Sequence, residues 1–233
     1  MEIRAGTSGF SYKEWKGSFY PEKLPANKML AFYSTQLNTV EINNTFYRLP
    51  KTDTLELWAK QVPEDFRFSI KASRRITHIK RLKDVKDETE FLLTSLETLG
   101  ARLGVILFQL PPFLRKDLAS LDAFLELLPD GTPATFEFRH ASWFDDDVYE
   151  RLKNRDFSLC TADTEKTAGT LTDTAPWGYL RLRRPDYSDQ DLKAWAQLIR
   201  AQRWDRAFVF FKHEDEAAGP KFAARFMELA SSG

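Results

Sequence analysis

Two glutamates and five cations stand at or near the ends of short apolar runs. In a parallel α/β protein such positions do the chemistry. In Val40-Glu41-Ile42-Asn43 the apolar pair alternates with Glu41 and Asn43, and in Phe136-Glu137-Phe138-Arg139 two phenylalanines alternate with Glu137 and Arg139. Side chains on a strand change face at every residue, so each polar pair shares one face and the apolar residues take the other. The same parity turns Lys71 inward at the end of Arg67–Lys71 and Gln109 at the end of Leu103–Gln109. It sets Tyr179, Arg181 and Arg183 against Leu180 and Leu182. Asp163 closes a sixth run, and Lys212-His213-Glu214 closes an eighth.

Two carboxylates facing each other across a barrel can divide acid and base roles, so Glu41 and Glu137 are the expected catalytic pair. The competing reading is that each pairs with Arg139 or Lys71 and never moves a proton. Lys71, Arg139, Arg181, Arg183 and Lys212 outnumber Glu41, Glu137 and Asp163 in this set. A cationic mouth on a chain with 34 Lys+Arg and 34 Asp+Glu favours an anion: phosphate, carboxylate or a nucleic-acid backbone. Asn43, Gln109 and Tyr179 are placed to orient hydroxyls, with Tyr47 and His140 as further ligand contacts. Gly6-Thr7-Ser8-Gly9 offers backbone N–H groups to an anion, with Ser8 a ligand contact. Ser8 is no nucleophile elbow, because Phe10 stands where a second glycine would be needed. Trp15, Trp143 and Trp177 fall between periodic segments, where they either stack a sugar or base or close the core.

No cofactor is expected. The three histidines, His78, His140 and His213, have no H-x-x-x-H or H-E-x-x-H spacing. His140 beside carboxylates is the one place for Mg²⁺ or Mn²⁺, and a divalent metal is disfavoured. The single cysteine, Cys160, forms no intramolecular disulfide and reads as a small buried hydrophobe.

Eight β-rich runs carry these residues: Ile3–Thr7, Thr39–Asn43, Arg67–Lys71, Leu103–Gln109, Ala134–Arg139, Phe157–Ala162, Gly178–Arg183 and Ala207–Lys212. Helical periodicity fills most intervals, at Met29–Leu37, Thr54–Gln61, Asp87–Leu99, Asp117–Leu128, Asp145–Asn154, Leu192–Ala201 and Pro220–Ala230. Ser188-Asp189-Gln190-Asp191 reads as a capping signal ahead of Leu192. The Thr-rich stretch Asp163–Pro176 has little helical pattern, so the sixth helix is expected to be irregular or missing. Alternating strands and helices over 233 residues predict an α/β fold, a single (β/α)8 TIM-type barrel spanning 1–233. A doubly wound sheet is the alternative, but no run is followed by a Gly-rich phosphate loop.

The charge balance excludes a generally basic nucleic-acid binder. Met1-Glu2-Ile3-Arg4 lacks a signal-peptide profile, and no apolar run approaches the ~20 residues of a membrane span. A cytoplasmic protein with no membrane partner is expected; the oligomeric state is not legible.

Several motifs carry a resemblance. Gly6-Thr7-Ser8-Gly9-Phe10-Ser11-Tyr12 with Trp15, Gly17 and Phe19-Tyr20-Pro21 resembles the opening of the YecE-like family, domain of unknown function 72 (DUF72). So do Val40-Glu41-Ile42-Asn43-Asn44-Thr45-Phe46-Tyr47 with Pro50, Phe66–Lys71, Leu103-Gly104 with Gln109-Leu110-Pro111-Pro112, and Glu137–Trp143. The resemblance implies a TIM barrel and no activity. Two positions depart from it: Arg183-Arg184 stand where His-Gly is usual, and Lys212-His213 where Asn-Asn is usual. Both make the mouth more basic.

The leading functional expectation is an enzyme (hydrolase, lyase or isomerase) acting on a small anionic, sugar-like or nucleotide-like substrate. Nucleic-acid binding or processing on a barrel resembling the endonuclease IV type is the alternative. A non-catalytic ligand or partner sensor is the third reading.

Overall fold

Alternation of period two, repeated eight times, closes a sheet on itself. In the computed structural model, which describes residues 1–165, 169–212 and 217–231, the strands are β1 Glu2–Ser8, β2 Thr39–Ile42, β3 Arg67–Lys71, β4 Leu103–Gln109, β5 Ala134–Glu137, β6 Ser158–Asp163, β7 Trp177–Leu182 and β8 Arg206–Phe211. All pair in parallel in sequence order, and β8 returns to β1 to close the barrel. Between β3 and β4 the register shifts at Phe68/Ser69. The helices are α1 Met29–Gln36, α2 Thr52–Gln61, α3 Lys86–Leu96, α4 Leu118–Leu125, α5 Asp146–Lys153, α6 Asp189–Arg200 and α7 Ala218–Ser231. Together they form the expected (β/α)8 barrel. Among the described residues no helix is long and apolar enough to cross a membrane.

Parity divides the apolar residues into two cores. Val40, Ile42, Phe108, Phe136, Leu180, Leu182 and Val209 pack outward against the helices. Phe136 is fully buried there, stacked between Phe108 and Phe138, and such a ring contributes about 1.5–3 kcal/mol by leaving water. Inside the barrel a smaller cluster forms from Val105, Leu107, Cys160, Trp177, Tyr179, Phe208 and Phe210. It fills the lower and middle levels and leaves the upper level to polar groups.

The Ser188 signal is a true capping box: its hydroxyl accepts from the Asp191 N–H, and the Asp191 carboxylate accepts from the Ser188 N–H at 2.9 Å. Among the described residues no helix lies between β6 and β7, where the sequence has little helical pattern. Threonines take its place. Thr174 Oγ1 accepts from the Leu159 N–H and donates to the Phe157 carbonyl, and Thr161 Oγ1 donates to the Thr170 carbonyl. Hydroxyls spaced along an extended segment satisfy backbone groups that a helix would only cover.

Several loops that leave the strand C-terminal ends carry short helical turns. Single 3₁₀ turns follow β1 at Lys13–Trp15, β2 at Asn44–Phe46 and β5 at Ala141–Trp143, and a π-helical turn follows β3 at Arg75–Ile79. Such π turns recur at functional sites.

Candidate functional site

Arg181 lies fully buried at the top of β7, with both glutamates on it. Its Nη1 donates to Glu137 Oε2 at 2.5 Å and its Nη2 to Glu41 Oε1 at 2.6 Å, with a longer bond to Asn43 Oδ1 at 3.3 Å. Its Nε–H has no acceptor among the described residues. Glu41 Oε1 also accepts from Ser8 Oγ at 2.7 Å and Asn43 Nδ2 at 2.8 Å, while Oε2 accepts from Tyr179 at 2.7 Å. Tyr179 shares a 2.6 Å bond with Ser69 beneath it. Glu137 accepts from Gln109 Nε2 at 2.8 Å and from Arg139 Nε at 3.0 Å.

The electrostatics follow from this geometry. Burial alone would push the Glu41 carboxyl up, but the charges of Arg181 and Arg183 and the bonds from Arg181 and Tyr179 outweigh it and hold it at about 2. Glu137 is likewise held far below the ordinary range: Arg181, Arg183 and Arg139 override its burial. Burial lowers Arg181 while the two carboxylates raise it, and the net shift is upward. Both expected catalytic carboxylates are thus buried, held below the ordinary carboxylate range by neighbouring cations and occupied by donors, an arrangement that suits counter-ions better than proton donors.

Above this floor opens a cavity of about 430 Å³. Lys71, Arg139, Arg183 and Lys212 supply its cations, Ser8, Asn43 and Gln109 its neutral polar groups, and Tyr12, Phe46, Tyr47 and His78 its rings. Parity explains the convergence, since Asn43, Lys71, Gln109, Arg139, Arg183 and Lys212 all continue the inward face of their strands. A second cavity of about 550 Å³ adjoins it behind Arg139 and Arg183, between β6 and Tyr149 of α5.

Lys71 has a different setting from the arginines. Its Nζ lies over the Phe46 ring, 4.2 Å from the centroid. Burial and then the charge of Arg181 drive it down to about 8, against the opposing pull of Glu41 and Glu137. His78, its ring edge-on to Phe46, is pressed to about 4 by burial and by the charges of Lys71 and Arg139, so it is neutral at pH 7.

Five expected ligand contacts lie outside the cavity lining: Tyr179 and Arg181 are buried in the floor beneath it, and Asp163, Trp143 and His140 lie elsewhere. Asp163 falls on the outward parity of β6 with Leu159 and Thr161, and Tyr187 (2.9 Å) and Arg184 (3.1 Å) bind its carboxylate. Trp143 is buried, stacked on Phe138 at 4.6 Å, and donates to the Leu114 carbonyl; Trp15 and Trp177 are buried too. None of these indoles offers a platform. His140 caps the 3₁₀ turn after β5: its Nδ1 accepts from the Ser142 N–H and lies 2.9 Å from that hydroxyl. Among the described residues no three His, Cys, Asp or Glu side chains form a group that could hold a metal ion. The expected anion cradle at Gly6–Gly9 is instead strand up to Ser8, and the Thr7 N–H is used by Tyr33. The turn comes at Gly9, whose φ of 107° only glycine adopts readily; there Tyr12 folds back to donate to the Ser8 carbonyl. His213 and Glu214 lie outside the described residues.

Tyr12, Phe46 and His78 were not picked out from the sequence as cavity groups. The loop rule was the available signal, since each follows a strand C-terminal end.

A family model described as "Protein of unknown function DUF72" matches residues 4–233. The UPF0759 protein YecE of Escherichia coli strain K12 is 35% identical over 124 residues, 53% of this chain and 46% of that protein. The UPF0759 protein YunF of Bacillus subtilis is 30% identical over 143 residues, 58% of this chain and 50% of that protein. The matches thus span about half the length of these curated relatives. Among solved structures, a DUF72 family protein of Thermotoga maritima superposes with a TM-score of 0.83 at 27% identity, covering 99% of this chain and 100% of that one. A methyltransferase from Methanosarcina mazei reaches 0.60 at 11% identity over 99% and 93%, a likeness of fold alone.

Proposed function

The chain belongs to the DUF72 family of proteins of unknown function, and on that footing we propose that its C-terminal mouth is a binding and reaction site for a small phosphorylated or carboxylated metabolite. One observation carries this reading: Lys71, Arg139, Arg183 and Lys212 converge on one cavity of about 430 Å³. That volume suits a small ligand, and four cations beside it favour an anionic group. Glu41 and Glu137 serve as counter-ions that fix Arg181 beneath the cavity, which separates this reading from carboxylate acid/base chemistry. A nucleic-acid backbone calls for a track of cations along an open surface; convergence on a cavity favours a small molecule.

The test is thermal unfolding during a titration with inorganic phosphate. Binding to the folded state alone stabilises by about 2.7 kcal/mol at one hundred times Kd, so the melting temperature rises and then follows the logarithm of phosphate concentration. In an Arg139→Ala, Lys212→Ala double variant the rise is expected to vanish. No shift at millimolar phosphate, or an equal shift in the double variant, overturns the proposal. A metabolite extract passed over the protein and read by mass spectrometry then names the ligand.

A further inference from the structure

Among the cavity cations, Lys71 is the one whose setting suits a nucleophile. Arg139 is tied to Glu137 at 3.0 Å, and the buried Arg181 takes both carboxylates. Lys71 makes no ion pair among the described residues; its Nζ meets the face of Phe46 and opens into the cavity. It stands at the C-terminal end of β3, where barrels place reacting side chains. The strand is rigid, buried from Phe68 to Ile70, and the Lys71 carbonyl is held by Thr45 Oγ1 at 2.7 Å. The side chain therefore starts from a fixed base.

Resting on the anion-site reading above, we propose that Lys71 is an amine nucleophile that condenses with the carbonyl carbon of an anionic aldehyde or ketone, whose phosphate or carboxylate is held by Arg139, Arg183 and Lys212. The amine lone pair forms the C–N bond while the carbonyl π pair moves to oxygen. Transfer of one proton from nitrogen to that oxygen gives the carbinolamine. The nitrogen lone pair then forms C=N as hydroxyl leaves, and with the second amine proton it departs as water. Amine plus carbonyl yields imine plus water, with no oxidation or reduction. Once protonated, the imine draws electrons from a neighbouring C–H or C–C bond, so the reaction class is lyase or isomerase.

The local charges support the step. Arg181 and Arg183 disfavour the ammonium form, Glu41 and Glu137 favour it, and His78 adds no charge at neutral pH. With Lys71 at about 8, about one molecule in ten carries a neutral amine at pH 7, against about one in three thousand for an ordinary lysine.

Pyridoxal 5′-phosphate is the probe: it joins an aldehyde to a phosphate, its imine absorbs visibly, and borohydride fixes the adduct for peptide mapping. At substoichiometric probe, Lys71 is expected to carry at least about ten times the label of any other lysine. Trapping should reach half its maximum near pH 8, be suppressed by inorganic phosphate and be much weaker with pyridoxal, which lacks the phosphate. Lys71→Arg should lose the label while phosphate still raises its melting temperature. If that variant misfolds, mapping and phosphate competition on the unmodified protein decide alone. Label spread over surface lysines, label on Lys212, or Lys71 label indifferent to phosphate overturns the inference. If phosphate stabilises the protein but Lys71 is not trapped, the inference fails and the anion site stands. If phosphate neither stabilises nor competes, the anion site fails with it.

Discussion

The two ends of the barrel interior each bury an arginine, and they treat it in opposite ways. At the lower end Arg4 donates to the Asn38 and Asp65 carbonyls and reaches the half-exposed Glu2 at the rim. The register partner of Arg4 on β8 is Phe208, a member of the inner apolar cluster with Trp177 and Val105. At the upper end Arg181 meets two carboxylates as buried as itself. Backbone carbonyls are present whatever the side chains, so Arg4 closes the barrel with partners the fold supplies anyway. The upper trio needs three side chains from β2, β5 and β7, each costly to bury alone. The lower end is held by packing, the upper end by charge balance.

Removing the upper cation breaks that contrast most severely. Arg181→Leu removes the cation that Glu41 and Glu137 share, leaving Arg139 on Glu137, and a loss of about 3–5 kcal/mol at pH 7 is expected. Its pH dependence should also invert. In the parent, Glu41 and Glu137 titrate below their unfolded values, so their stabilisation is complete above pH ~4.5 and drains away toward pH 2. In the variant their folded values rise, stability is retained at acid pH and is lost as pH climbs. Urea unfolding at pH 5 and pH 7 reads the sign; a variant no less stable at pH 7 would remove the charge-balance account.

A smaller effect is expected of Glu137→Gln, which keeps shape but halves the anionic charge on Arg181. Loss of charge-assisted bonds predicts about 2–3 kcal/mol and a shallower acid limb, measured in the same unfolding series. A variant as stable as the parent would return Glu137 to the chemistry first expected of it. The smallest effect belongs to the lower end. Phe208→Leu, within the cluster of Trp177 and Phe210, should cost about 1 kcal/mol with no pH dependence between 4 and 8. A pH-dependent loss there would mean that the two ends are coupled.

Much of this was legible in the sequence. The strands lie within about two residues of where alternation puts them, because a buried barrel strand needs that pattern on both faces. The short 3₁₀ and π turns were not, since three to five residues have no period to read. Parity correctly turned Glu41, Lys71, Glu137, Arg139 and Arg181 inward but could not give depth. Arg181 and Arg183 read alike, although one lies in the floor and the other at the cavity wall. Nor could sequence show that Arg181 reaches Glu41 across the barrel, because that contact depends on register around the closed sheet. Asp163 was misplaced because Ser158-Leu159-Cys160-Thr161-Ala162-Asp163 mixes small and polar residues on both faces and hides its parity.

The Arg181 linkage also bears on how the chain matures. A chain ending at Pro176 contains six strands and both glutamates but not the cation that lets them be buried. Closing the upper barrel at that stage would strand two like charges out of water, so packing waits for β7. During synthesis the final quarter of the chain therefore governs when the first three quarters can lock, and a truncated product is left open and exposed to proteolysis.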